Sequence, residues 1–389
     1  MRCVGYAYPW DYTGDRAAAA RAAGLALDAV AVAASYHPTR AATPLHPDHR
    51  IFEAPHAACL VPVRPDAWRA TRLVPVTPEW DPGGGSFESA HAQLRAERLA
   101  VDAWIVLTHN GLLGLQHPDL VVRNAFGDRY PYALCPSAED VQEYCRTLVA
   151  EILAGAPVDG VVLEACGPMG IDHGGDHDKT EFAGWDETRR VLLSLCFCGA
   201  CDARFDAAVI DIDRLAGLVR AGIDAGSGTV EDCLGEELAA AVAAVRANLS
   251  QGLRALLVDE CRAVAPGARI AVHGSADPWA TGSFPTLQPA TRTGVDAVVA
   301  NCWQPAEGAA QIAAVSALGN PTTAIGAYLR LDRDWAAGET TQQRLQEYLD
   351  AGLSELHLYH LGLLGRQGLE DLRGVADATR RLAAGAGPA

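Results

Sequence analysis

The chain reads as an α/β protein, a (β/α)8 TIM barrel with long insertions after strands 2 and 4. Three observations predict this. Short β-branched runs alternate with Ala/Leu-rich helical stretches, the mark of βαβ units and a parallel sheet. Eight such runs are present, the number that closes a barrel. No Gly-rich phosphate fingerprint follows the first run, where an open, doubly wound sheet would carry one.

In order, strands are expected at Cys3–Ala7, Ala29–Ala33, Trp104–Thr108, Gly160–Glu164, Arg269–Val272, Ala297–Ala300, Thr323–Ala327 and Glu355–Leu358. Helical patterns lie between them at Gly14–Ala23, Phe87–Leu99, Ala138–Ala154, Glu236–Ala265, Gly308–Leu318, Thr340–Ala351 and Gly368–Ala383. The Pro- and His-rich stretch Tyr36–Asp81 forms the first insertion. The second, residues 166–227, carries a cysteine cluster. Residues 1–384 are thus expected to form a single elaborated barrel, with 385–389 a disordered tail.

Of the 389 residues, 49% are hydrophobic, which excludes disordered and collagen-like classes. The net charge of −17 repels phosphate backbones and anionic lipids, so neither nucleic acid nor membrane is expected as a partner; a homo-oligomer is compatible with it. No apolar window reaches membrane-spanning length, and the first residues run directly into a strand. Eleven cysteines, mostly scattered, suit reduced thiols, and a cytoplasmic location is expected. Lys179 is the one lysine among 31 basic residues. It reads either as a retained ammonium with a task or as a chance survivor of an arginine-biased composition.

Reactive groups of such barrels stand at the C-terminal strand ends. Those positions here are polar and aromatic. They are Tyr6, Tyr8, Trp10 and Asp11 after the first strand, Tyr36 and His37 after the second, and His109 and Asn110 after the third. Glu164, Asp172, His173, Asp176, His177, Asp178 and Lys179 follow the fourth, and His273, Asp277 and Trp279 the fifth. Asn301, Trp303, Gln304 and Glu307 follow the sixth, Tyr328 and Arg330 the seventh, His357, Tyr359 and His360 the eighth. The opposite ends are bland. That asymmetry argues for an enzyme, and Trp10, Trp279 and Trp303 at one end suit the C–H faces of sugar rings. Capping of the barrel is the competing role for those indoles.

Glu164 ends an apolar run and should enter the barrel mouth, where burial raises its pKa and suits proton donation. Glycoside hydrolysis needs a second carboxylate. Asp277 is the candidate as nucleophile or base, with Glu307 behind it; a turn-forming role competes for Asp277, and an ion pair with Arg330 or His109 competes for Glu164. This chemistry needs no cofactor. A rival is a metal-dependent isomerase, epimerase or lyase on a sugar-like polyol, using Glu164, His109, His273 and the Asp172–Asp178 loop, whose His173, Asp176 and His177 could bind a divalent metal. A third reading is a sugar-binding barrel without catalysis. Cys196, Cys198 and Cys201 suit a structural zinc with a fourth ligand from elsewhere, for example Cys166; packed free thiols are the alternative.

The segment Ser194–Phe205, SLCFCGACDARF, followed by IDIDRL at Ile210–Leu215, resembles glycoside hydrolase-like (β/α)8 barrel proteins that carry a CFCxxC segment after the fourth strand. His109–Ser137 is similar to the stretch where such proteins shape their cleft. The resemblance covers mainly residues 100–220. It implies a barrel fold, sugar-directed chemistry and Glu164 as acid/base. This chain departs from the pattern at strand seven, which ends in Gly326–Arg330 with no carboxylate before Asp332.

Overall fold

The computed structural model describes residues 1–81, 85–172, 179–288, 294–318, 322–331, 335 and 339–385. Eight parallel strands close on themselves. They are β1 (Arg2–Ala7), β2 (Ala29–Tyr36), β3 (Ala100–Val106), β4 (Gly160–Glu164), β5 (Arg269–His273), β6 (Ala297–Asn301), β7 (Ala324–Arg330) and β8 (Glu355–Tyr359). Neighbours pair in chain order, and β1 joins β2 on one side and β8 on the other.

The strands are apolar because both of their faces are covered. All eight residues of β2 are buried. Alternation along each strand then divides the apolar residues into two cores. One phase, including Val30, Ile105, Leu163, Val272, Val298 and Leu356, packs outward into the layer shared with the helices. The other, including Val4, Tyr6, Trp104, Val162, Val299 and Tyr328, fills the barrel. Inward alanines at 29, 31 and 33 on β2 balance the bulk of Tyr6 and Trp104. Gly326 on β7 is another accommodation, since a Cβ there would lie 2.8 Å from Cδ2 of the His357 ring.

The third strand runs Ala100–Val106, earlier than the expected Trp104–Thr108. Asp102 conceals it. This carboxylate lies buried inside the barrel, paired with Arg2 at 2.9 Å, and so interrupts the apolar run that marks a strand. Between β2 and β3 stand the hairpin Thr39–Ala42/Ile51–Ala54 and the short strand Ala58–Cys59, antiparallel to the end of β2. After β3 come helix Gly111–Gln116 and the hairpin Val121–Arg123/Arg129–Leu134.

Between β4 and β5 the chain forms helices Glu187–Leu193, Gly199–Ala207, Ile212–Ala225 and Val230–Leu234, then the long helix Glu236–Val264. Asp186, Asp211 and Thr229 start three of these by accepting a backbone N–H two or three residues into the helix. The last helix, Arg366–Gly385, includes Gly385, the first residue of the expected tail; 386–389 lie outside the described residues. No helix among the described residues is long and apolar enough to cross a membrane.

Candidate active site

The pleat that turns Val162 into the barrel also turns Glu164 inward, and β3 sets Val106 beside it. Trp104, in the same inward phase, donates its Nε1–H to Glu164 Oε2 at 2.7 Å. His273 Nδ1 lies 3.5 Å from the same oxygen but makes no hydrogen bond to it, and among the described residues it has no hydrogen-bond partner. The next residue, Ala165, has φ +54°, a strained conformation for an L side chain, so the chain turns away sharply behind the carboxylate. Glu164 is 5% exposed. Burial pushes its carboxyl up to about 7, and hydrogen bonds from Trp104 and Ser283 restrain the rise. Burial holds His273 well below the usual imidazole range, so the 3.5 Å contact joins a carboxyl to a neutral ring.

Above Glu164 opens a cleft of about 1340 Å³. Tyr36, Trp104, Tyr328 and Tyr359 line it near the carboxylate, with His37, His109, Tyr132, Trp185, Trp279, Asn301 and Trp303 farther round. Trp303 stacks over Tyr328 with ring centroids 6.0 Å apart and planes 14° apart. The Arg330 guanidinium lies 5.2 Å from the Trp303 ring. Phe284 stacks on His273 at 4.5 Å. The hydroxyl of Tyr8 meets those of Tyr36 at 3.1 Å and Tyr359 at 3.2 Å. Together these form a polarised, mostly aromatic surface around one buried acid.

Four further carboxylates line the cleft: Asp172, Glu187, Asp277 and Glu307. Asp172 is held by Arg190 at 2.6 Å. Asp277 is exposed on the loop after β5, next to β4 in the ring; its Oδ1 accepts from the Trp279 backbone N–H at 2.9 Å. The turn-forming role and a place in the cleft therefore coincide in one side chain.

Other expected site residues fall elsewhere. Tyr6, His273 and His357 are buried under Glu164 and do not line the cleft. Tyr8 lies behind Tyr36 and Tyr359. Trp10 is sandwiched between Tyr8 and Phe52, both at 4.5 Å, and is absent from the lining because the 3-10 turn Pro9–Asp11 folds it against the hairpin after β2. Asn110 caps helix Gly111–Gln116 by accepting the Leu113 N–H at 3.0 Å, which directs its side chain into the protein. Lys179 and Arg330 are exposed and outside the lining. His173 and His177, with Asp176 and Asp178, lie outside the described residues.

Trp104 and Tyr132 escaped the sequence reading. The signal for Trp104 was its even spacing from Val106, the residue registered with Glu164; the displaced strand assignment hid it. Tyr132 sits on a hairpin whose pairing no short-range pattern announces.

No family model matches the sequence, nor does any curated protein. Solved structures do resemble it. The glycoside hydrolase domain of PgaB (BpsB) from Bordetella bronchiseptica superposes with a TM-score of 0.59 at 16% identity, over 97% of this chain and 99% of that one. The catalytic domain of β-amylase from Paenibacillus polymyxa gives 0.57 at 11%, over 98% of both chains. A β-galactosidase from Marinomonas ef1 gives 0.58 at 11%, over all of this chain and 61% of that one. What this chain shares with them is the closed (β/α)8 barrel fold.

Beside the cleft, Cys135, Cys196, Cys198 and Cys201 bring four buried sulfurs within 4.8 Å of one another. Cys135, at the end of the hairpin after β3, is the fourth member in place of the expected Cys166. Cys166 packs in the outer core, on the far side of the barrel wall, near Arg254, Cys145 and Cys261. Cys135 Sγ lies 3.7 Å from Cys196 Sγ and 3.6 Å from those of Cys198 and Cys201. A disulfide needs about 2.05 Å. A tetrahedron with Zn–S bonds of about 2.3 Å has edges of roughly 3.8 Å. Charge agrees with the geometry. Arg246 is buried, forms no ion pair among the described residues, and feels the charges of Cys201, Asp277, Cys196 and Cys135. Four thiolates on a divalent ion leave two negative charges, which a buried guanidinium offsets. The site fits zinc. Among the described residues it is the group that does so.

Proposed function

We propose that this protein hydrolyses a glycosidic bond of a small soluble glycoside. The observation that carries the reading is Glu164: a buried carboxyl near pH 7, held by Trp104 at the floor of an aromatic cleft. Such a group is protonated when needed and gives its proton to a leaving oxygen at neutral pH. Asp277 acts as the second carboxylate, nucleophile or base. The cleft's indoles stack on sugar faces, and Asn301 and His109 take hydroxyls. The glycoside hydrolase-like fold and the CFCxxC likeness support the same reading. Cys135, Cys196, Cys198 and Cys201 would hold a structural zinc, which would tie the segment after β4 to the hairpin after β3.

The test is turnover on a panel of soluble glycosides, with the product anomer read by proton NMR. Asp277→Asn should lower kcat at least ~10²-fold. Full turnover in that variant removes Asp277 from the reaction, and no cleavage across the panel overturns the proposal. Trp303→Ala should raise KM roughly tenfold with kcat little changed, the loss of one stacking face of about 1.4 kcal/mol. An unchanged KM would exclude Trp303 from the sugar site.

A further inference from the structure

Under the cleft a column of polar groups runs the length of the barrel, and the reaction as proposed uses only its top. Tyr6 Oη lies 3.0 Å from His273 Nε2 and 2.9 Å from His357 Nδ1. His357 Nε2 lies 3.5 Å from Glu355 Oε2. Glu355 is paired in turn with Arg269. With the contact of His273 to Glu164, the links join the catalytic carboxyl to the barrel floor. All five groups are buried, and Gly326 vacates the space that the His357 ring takes. Isolated polar side chains in such a core would be costly; a continuous column is a built feature.

We propose that Glu164 exchanges its proton with solvent at the barrel floor, through His273, Tyr6, His357 and Glu355. The proposal rests on the reading of Glu164 as proton donor and deepens it. The step balances without net charge on either imidazole. At the start the 3.5 Å gap between Glu164 and His273 Nδ1 closes to a hydrogen bond that Glu164 donates, His273 Nε2–H donates to Tyr6, Tyr6 donates to His357 Nδ1, and His357 Nε2–H faces Glu355. One proton then hops along each link in the same direction. Glu164 is left a carboxylate, both histidines carry hydrogen on Nδ1, Tyr6 keeps one hydrogen, and Glu355 is the acid. The reverse hops recharge Glu164 after it has protonated a leaving group, even with the cleft occupied by sugar.

The surroundings favour that direction of recharge. Arg269 and His357 hold Glu355 below the usual carboxylate range, whereas burial raises Glu164, so the resting proton belongs at the top. The other charged groups around the lower half are Asp102 and Arg2, which pair at 2.9 Å. Tyr328 and Phe284 flank His273. Side chains of Arg2 and Arg269 are 26% and 24% exposed, which gives the floor its opening to water.

The experiment follows histidine tautomers by ¹⁵N NMR, and Glu164 by its ¹³C carboxyl signal, across pH 5–9. Both His273 and His357 should pass from Nε2–H to Nδ1–H with the midpoint of Glu164. In Tyr6→Phe, His273 should still respond while His357 does not, and kcat should fall about tenfold with KM unchanged. If Tyr6→Phe fails to fold, Glu355→Gln, which removes the terminal base, should hold His357 in one tautomer. The relay is overturned if His357 keeps a single tautomer while Glu164 titrates, or if it switches equally well in either variant. A Glu164→Gln protein with full turnover would refute the catalytic reading alone, leaving the linked tautomers of the unmutated protein in place.

Discussion

Glu164→Gln should cut kcat on the best glycoside by ~10²–10⁴-fold with little change in KM, because the amide keeps the Trp104 contact region filled but has no proton to give. The pH dependence follows from the same carboxyl. As a donor it works protonated, so turnover in the unmutated protein should decline as pH rises through about 7. Stability should move with it. The folded state holds this proton more tightly than the unfolded chain, whose carboxyl titrates near 4.5. The stabilising contribution is therefore complete below about 4.5 and is lost as pH rises through about 7. Glu164→Gln should accordingly melt above the unmutated protein at pH 8 and alongside it at pH 4.5, as scanning calorimetry would show. Full activity in the variant would end the proposed mechanism, and a lower melting point at pH 8 would contradict the buried charge.

Cys135→Ala should abolish binding of one zinc per chain and lower Tm by several degrees, reflecting about 4 kcal/mol when free zinc exceeds its Kd a thousandfold. Cys166→Ala should keep the metal. Elemental analysis of both variants decides between Cys135 and Cys166 as the ligand, and a zinc-free, equally stable unmutated protein would leave four packed thiols instead. Arg246 makes the two halves of the prediction inseparable. Its NH2 group donates to the Trp279 carbonyl at 3.2 Å, so loss of the charge it balances should also disturb the cleft wall.

The fold was legible because its signals are local. Each strand is a short apolar run, and Ala/Leu-rich stretches mark the helices between them, whereas the short helices begun by Asp211 and Thr229 after β4 were not read. Glu164 was legible for the same reason: a strand's alternation states which face its last residue joins. Groups joined through space were not. Cys135 lies 61 residues before Cys196 and meets it only after a hairpin and a barrel strand have folded. Trp10 and Asn110 shared the polar, aromatic character of true cleft residues, but a 3-10 turn and a helix cap redirected them. The column from Glu164 to Glu355 was invisible as a whole, although His273 and His357 were both singled out. Its continuity depends on the register of strands distant in sequence.

Two interleaved cores have a consequence for variation. The outward-facing set determines how tightly the helical jacket grips the wall, and the inward-facing set determines what the interior can do. A substitution in one phase leaves the other's packing partners untouched. Chemistry inside this barrel can therefore drift, or be redesigned, while the jacket that keeps the molecule folded is inherited intact.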